Sequence, residues 1–318
     1  MVVAGRQPII IRGSEPCFSS EEGSCCTIGN FDGVHRGHRE ILRSLTAAAE
    51  VRNIPNRVVI TFFPHPLVAL KRVDSVKRLS TFRQRWSAFS QDGITAVRLV
   101  RFTPVVAAMS AEQFFSTVLI DQLRCRHLVL GPDTALGKNR SGTIERLQEI
   151  AALYNCTTEV VPCVEEGGSK ISSRAIRELV QQGDMRAAAE LLGRPYGVQG
   201  RVRRGDQRGR TIGFPTINIG LAGRVEPKFG VYGCVVLIDG KKNLAVANVG
   251  IRPTFGGGMP VLEAHLLDTT EANLYGRLVE VLFIERLRDE QKFSGIESLR
   301  GQIALDCAAA RELLATHR

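Results

Sequence analysis

The sequence predicts an α/β protein, a doubly wound parallel sheet followed by a small antiparallel β-barrel that ends in a helix. Three observations lead there. Apolar runs alternate with amphipathic stretches as far as Cys163, the texture changes after Ser172, and a glycine-punctuated turn stands directly behind the first long apolar run.

The strands expected in the first part are "CCTIGNF", "RVVITFF", "AVRLVRF", "HLVLG" and "TEVVPC". Their hydrophobicity is continuous rather than alternating, which requires both faces of each strand to be covered. Segments such as "REILRSLTAAAEVR" and "SAEQFFSTVLIDQL" supply the covering helices. Sheets of this kind bind ligands beyond the carboxyl ends of their strands. After Ser172 come two short helical segments, "SRAIRELVQQG" and "DMRAAAELLG", then strands and turns to about Glu290. "VYGCVVLIDGKKNLAVANVG" reads as a hairpin, because Asp239-Gly240 supplies a turn that accepts positive φ between two apolar strands. "GIESLRGQIALDCAAARELLATHR" closes the chain with helical spacing. The change of period divides the chain into residues 1–186 and 187–318.

The 318 residues suffice for two cores, and the net charge of +10 is spread evenly over residues 1–190 and 191–318. Such a spread favours anionic small molecules over a nucleic-acid stripe, which concentrates charge on one segment. The densest basic stretch, "RVRRGDQRGR", is expected on a loop or edge strand beside a phosphorylated ligand. Eight cysteines form no C-x-x-C, so reduced, buried thiols are expected. No apolar run is long enough to span a bilayer, and the expectation is a cytoplasmic protein with small-molecule partners, no nucleic acid and no membrane.

"TIGNFDGVHRGHREIL" joins the first expected strand to a helix. A helix start offers unpaired N–H groups and the positive end of a dipole, so phosphate is its natural occupant. Gly29, Gly33 and Gly37 let a ligand approach the backbone, and His35 and His38, three apart, share one helix face. Both imidazoles could donate to a phosphoryl group during in-line displacement. A zinc pair and two ordinary surface histidines are the alternatives. Zinc needs further ligands, and neither His65 nor His127 shows a supporting pattern.

G-x-F-D-G followed by H-x-G-H resembles the nucleotidyltransferase signature. "FFPHP", "RLSTFRQR", "LGPDTALGKNRSG" and "KISSRAIRELVQQGD" then follow in the order seen in the bacterial bifunctional riboflavin kinase/FAD synthetase (FMN adenylyltransferase) family. "GRPYGVQGRVRRGDQRGRTIGFPTINI" similarly resembles the riboflavin kinase module, with G-F-P-T-x-N as its most specific core. The resemblance implies a Rossmann-like nucleotidyltransferase domain before a riboflavin kinase barrel. It also implies phosphorylation of riboflavin to FMN by ATP and adenylylation of FMN to FAD with release of pyrophosphate.

Carried over residue by residue, His35 and His38 are the catalytic pair of the first activity, with Gly29, Asn30, Phe31, Asp32 and Gly37 around ATP. Ser172 and Ser173 would cap a second helix and bind phosphate, which Lys170 and Arg177 neutralise. His65 and Asp133 are candidate flavin or nucleotide contacts, and Gly209, Arg210 and Gly213 would let a loop fold over ATP in the kinase part. Thr216 and Asn218, two apart on an extended strand, point to one side and offer hard oxygen ligands to Mg²⁺. Glu263 matches the family's catalytic glutamate in E-x-H, the base beside the attacking alcohol, while His265 is expected to be structural.

Two departures stand out. Thr134 and Leu136 replace aromatic residues of the family's D-F-x-F-G, and Arg174 replaces a threonine. They make a riboflavin kinase with a re-purposed first domain the alternative reading. A non-catalytic flavin- or RNA-binding regulator is a more distant one.

Overall fold

The computed structural model describes residues 7–205, 209, 212–251, 259–268 and 273–317. Contacts divide the chain into two compact units, Met1–Val76 with Phe82–Ile171, and Lys77–Thr81 with Ser172–Arg318.

In the first unit the strands are β1 (Ile9–Ile11), β2 (Ser24–Ile28), β3 (Asn56–Phe63), β4 (Ala96–Arg101), β5 (Cys125–Leu130) and β6 (Thr157–Val160). They form a parallel sheet in the order β1-β4-β3-β2-β5-β6. The expected five strands are present. β1 is an addition, made from only three residues at the sheet edge. All five residues of β2 are buried, as their continuous apolar pattern requires.

Cys25 and Cys26 face opposite cores. Cys26 packs with Phe115, Leu119 and Leu147, whereas Cys25 packs with Leu42, Leu45 and Phe89. Leu42 and Leu45 belong to α1 (Arg36–Val51), and both are fully buried against the sheet. Truncating either to alanine is expected to cost about 2–5 kcal/mol. α2 (Pro66–Ala69), α3 (Phe82–Gln91), α4 (Pro104–Ala108), α5 (Ala111–Phe114) and α6 (Ile144–Leu153) complete the unit, α5 continuing as a π-helix over Phe115–Gln122. A two-residue ladder pairs β7 (Glu165–Glu166) with β8 (Ser169–Lys170) around Gly167 and Gly168, both at positive φ.

Strand order changes direction at β2, whose neighbours are β3 on one side and β5 on the other. That is the switch point beyond which open parallel sheets bind nucleotides. The expected phosphate turn, Gly29 to His38, begins at the carboxyl end of β2.

The second unit opens with α7 (Ser173–Gln182), capped by Ser172 and ended by Gly183 at φ 85°, and α8 (Met185–Leu192), capped by Asp184 and ended by Gly193 at φ 74°. Its strands are β9 (Tyr196–Arg201), β10 (Thr216–Gly220), β11 (Gly230–Ile238), β12 (Lys241–Ile251), β13 (Pro260–Leu266) and β14 (Leu278–Arg288), followed by α9 (Ile296–Leu313). The antiparallel order is β10-β13-β12-β11-β14-β9. A bridge from Arg203, just past β9, to Asn218 on β10 joins the two ends of that order, so the sheet curls into a barrel. The expected Asp239-Gly240 turn connects β11 to β12, with φ of 48° and 80°.

Tyr196, Tyr232 and Phe283 fill the barrel interior, with Phe283 edge-on to Tyr232 at 5.1 Å. Burial raises the Tyr232 hydroxyl pKa to about 12. On the outer face Val231, Val235, Leu244 and Val246 pack beneath Cys307 and Ala310 of α9. All eight cysteines are free, six of them buried. Among the described residues no helix is long and apolar enough to cross a membrane.

Candidate active sites

The turn behind β2 is strained. Phe31 (φ 48°) and Val34 (φ 42°) both lie in the left-handed region, and Val34 is fully buried. Each such residue costs about 1–3 kcal/mol, retained only where surrounding packing over-determines it. Phe31 shows that packing. Its ring lies against Gly29, where a Cβ would come 3.0 Å from Cε2, and meets Phe89 edge-on at 5.7 Å. Phe31 therefore fixes the loop from the core side.

His35 is the N-cap of α1, and its Nδ1 accepts from the His38 N–H at 3.3 Å. The imidazoles are stacked, with centroids 3.6 Å apart and planes 18° from parallel. Burial, then the nearness of His35, then the Arg85 guanidinium hold the His38 pKa well below the ordinary histidine range. His38 is neutral at pH 7. Its Nδ1 is buried without a hydrogen-bond partner, an unmet demand at the positive end of a helix. A phosphate oxygen meets it when that nitrogen carries the ring proton.

Sequence reasoning passed over Arg85. On α3 it is 8% exposed, donates to the Asn30 carbonyl at 2.7 Å, and so brings a buried cation to the histidine pair. Asn30 also pairs with His65, whose Nδ1 accepts from the Leu67 N–H and so caps α2. The Asn30 contact is made by its amide nitrogen, 3.2 Å from His65 Nε2. Asp32 is buried beside them. A Cβ on Gly37 would stand 3.3 Å from His35 Nδ1 and 3.7 Å from the Ile171 carbonyl oxygen.

Lys170 and Asp133 are brought together as an ion pair, and Arg36 pairs with Glu166 at 2.6 Å across the β7–β8 ladder. Leu136, one of the two departures from the aromatic pattern, is 6% exposed and belongs to the core beneath the sheet. Ser172 and Ser173 open α7, which packs in the second unit. The Ser172 hydroxyl accepts from the Ala175 N–H at 3.2 Å, and Arg177 donates to the Lys77 carbonyl at 3.1 Å. Arg174 points outward, 88% exposed, toward Glu178.

In the second unit the register of three strands builds the site. Asn218 on β10 lies opposite Glu263 on β13, and Glu263 lies opposite Asn248 on β12. Arg203 lies opposite Asn218. Directly opposed residues share a face, so Arg203, Asn218, Glu263 and Asn248 form one row on the barrel exterior. Thr216 and His265 are opposed in the neighbouring row. Thr216 and Asn218 thus share the expected face with Glu263. His265 donates from Nδ1 to the Pro215 carbonyl at 2.9 Å and meets Phe214 edge-on at 5.3 Å, which holds the turn ahead of Thr216.

Gly209 accepts from the Phe214 N–H at 2.7 Å, and a Cβ there would strike the Phe214 carbonyl at 2.3 Å. Gly213 is at φ 91°, and Arg210 lies outside the described residues. Asn248 was not foreseen, and Arg203 was expected only as one of the basic stretch from Arg201 to Arg210. Spacing gives each residue a face, but only register shows which residues from distant strands share a row.

Two family models match the chain, FAD synthetase over residues 17–175 and riboflavin kinase over residues 192–314. The bifunctional riboflavin kinase/FMN adenylyltransferase of Escherichia coli K12 is 41% identical over 92% of this chain and 93% of its own length. The proteins of the same description from Pseudomonas fluorescens and Bacillus subtilis are 38% and 36% identical, over 96% and 89% of this chain and 98% and 90% of their own. A crystal structure described as a macrolide-efflux protein from Streptococcus pneumoniae superposes with a TM-score of 0.83 at 32% identity, covering 95% of this chain and 99% of that one. The chain belongs to the bifunctional riboflavin kinase/FMN adenylyltransferase family.

Proposed function

We propose that this chain makes FAD in two transfers, the kinase step carried by residues 187–318 and the adenylyl transfer by residues 1–186. In the first transfer the primary hydroxyl of riboflavin attacks the γ-phosphorus of ATP, the bond to the β-phosphate oxygen breaks, and ADP leaves. Glu263 takes the hydroxyl proton. The observation that carries this role is its position in the row, between the amides of Asn218 and Asn248. That position sets the carboxylate on the same face as the oxygen donors Thr216 and Asn218, where an attacking hydroxyl can reach it.

Thr216 and Asn218 fit a magnesium ion, being oxygen donors on one face next to the base. When bound, the ion neutralises charge on the nucleotide phosphates. Arg203 adds a fixed cation at the same end of the row. Gly209, Gly213 and Arg210 keep their proposed place in the loop over ATP.

In the second transfer an FMN phosphate oxygen attacks the α-phosphorus of ATP and pyrophosphate leaves. No proton acceptor is needed, because the attacking oxygen is already anionic. The work is positioning and charge stabilisation, for which a neutral His38, His35, the α1 amides and buried Arg85 are suited. Asn30, Asp32 and Phe31 keep the turn in shape, Gly29 and Gly37 leave room, and His65 supports Asn30. Lys170 is held by Asp133 ready for an anion. Ser172 accepts as a cap and retains its own O–H to donate to phosphate; Ser173 and Arg177 keep their proposed phosphate roles.

A chromatographic time course with riboflavin, ATP and Mg²⁺ tests the reading. FMN should rise first and FAD follow. FMN that accumulates without FAD would favour the kinase-only alternative, and absence of FMN would remove the kinase assignment.

A further inference from the structure

One face of α3 holds the strained turn of the first unit at two points. Arg85 and Phe89, four positions apart, project from the same side of that helix, and both are buried. The Arg85 guanidinium donates from Nη1 to the Asn30 carbonyl at 2.7 Å, and the Phe89 ring meets the Phe31 ring edge-on at 5.7 Å. Phe82, about one turn before Arg85, places its ring 5.5 Å from the guanidinium carbon and steadies the cation from its own helix. The same helix face thus grips both the peptide that enters Phe31 and the side chain that leaves it.

Which peptide is held decides what the contact does. The Asn30 carbonyl and the Phe31 N–H belong to one planar unit, and Phe31 stands at φ 48°. Relaxing that angle to the ordinary negative range swings the plane and carries the carbonyl away from Arg85. A hydrogen bond from a charged donor is strong enough to oppose the strain of one left-handed residue. Phe31 passes the restraint on. Its ring lies 5.1 Å from the His38 ring at a tilt of 55°, and His38 stacks on His35 at 3.6 Å. A continuous path therefore runs from the Arg85 guanidinium through the Asn30–Phe31 peptide and the Phe31 ring to His38.

We propose that Arg85 is a positioning residue of adenylyl transfer, pinning the Asn30–Phe31 peptide so that the Phe31 ring sets the plane of His38. The inference rests on the adenylyl-transfer reading above and adds a route to it: Arg85 acts through the turn and does not touch the nucleotide. Such a role has a kinetic signature. Losing a group that binds substrate raises KM, whereas misplacing a group that works in the transition state lowers kcat.

The test follows FAD formation from supplied FMN and ATP by the full-length protein. Arg85→Met removes the donor and keeps an unbranched side chain, and kcat should fall about fivefold or more, the cost of a sub-ångström displacement, with KM for ATP and for FMN changed less than about fivefold. Arg85→Lys retains a charged donor for the carbonyl and should recover most of the lost kcat. Phe31→Leu probes the route from its far end. It keeps an apolar side chain in the core, lacks the ring beside His38, and should lower kcat in the same manner. Trp86, the only tryptophan of the chain, packs against the core of the first unit, so its fluorescence during urea unfolding shows whether that unit is folded in each variant. The route is overturned by a smaller fall of kcat in either Arg85→Met or Phe31→Leu, by a lysine variant no better than the methionine one, or by a larger rise of KM for ATP, which would put Arg85 on the nucleotide. Should Arg85→Met not fold, Phe31→Leu decides. Wild type that makes no FAD from FMN would instead remove the adenylyl-transfer reading.

Discussion

The two candidate sites reach similar chemistry from opposite structural resources. In the first unit the site is local, ten residues from Gly29 to His38 in which strain, a helix start and two stacked rings act together. In the second it is assembled from four separate stretches by strand register, Arg203, Asn218, Asn248 and Glu263. A local site is sensitive to backbone shape, whereas a register-built site tolerates loop changes and depends on individual side-chain groups. The comparison also separates the chemistry. The kinase step must remove a proton and has a carboxylate in its row, while adenylyl transfer needs none removed and has neutral imidazole beside buried guanidinium.

The largest effect should come from the proposed proton acceptor. Glu263→Gln removes proton acceptance at almost constant volume, so FMN formation should fall on the order of 10²–10⁴-fold, with FAD formation from supplied FMN retained. Undiminished FMN formation would assign the base elsewhere.

Next comes His38→Asn, expected to lower FAD formation on the order of 10²-fold through loss of a donor to developing charge, with FMN formation retained. Its stability signature has a defined sign. The folded-state pKa of His38 is depressed, so the unfolded chain takes up the proton first, near pH 6.5. The associated stability is complete above that pH and is lost as pH falls below it toward the folded-state value. Melting temperatures at pH 7 and pH 5 should therefore differ more in wild type than in His38→Asn. Part of the difference should survive in the variant, because burial depresses the His127 pKa in the same direction.

Much of this was legible in sequence, for identifiable reasons. Continuous apolar runs mark buried parallel strands, and β2 to β6 appear where they were expected. Asp239-Gly240 names its own turn. The histidine pair was legible because three glycines and a helix start fall within ten residues. β1 was not, since three apolar residues carry no period, and Arg85 was not, since a cation within a helical stretch ordinarily reads as solvated. Its burial depends on the Asn30 carbonyl, which sequence places 55 positions away. Leu136 shows the reverse. It stands out against the family's aromatic pattern, yet its side chain packs in the core.

Gly37→Ala tests the local character of the first site. Alanine is the better helix former by about 1 kcal/mol, so stability should hold or rise slightly. The added methyl stands 3.3 Å from His35 Nδ1, tighter than an ordinary contact, and pushes on the stacked pair. FAD formation should fall about tenfold, the cost of a sub-ångström displacement at a positioned group, while FMN formation holds. A stable variant with full FAD formation would show that the histidine geometry has slack.

The smallest effect is expected at Arg174, and its size decides whether the start of α7 takes part in adenylyl transfer through this side chain. Arg174 lies in the first turn, where the helix dipole disfavours a cation, and its pairing with Glu178 runs in the weaker order, cation before anion. Both the pair and the penalty are surface quantities of a few tenths of a kcal/mol, and they oppose each other. Arg174→Thr, which restores the family's residue, should leave thermal stability within about 0.5 kcal/mol of wild type. FAD formation should change less than about threefold, because the 88% exposed guanidinium is turned toward Glu178 on its own helix. A tenfold change in FAD formation at constant stability would reverse that conclusion and add Arg174 to Ser172, Ser173 and Arg177 as residues of this helix start proposed to act on phosphate.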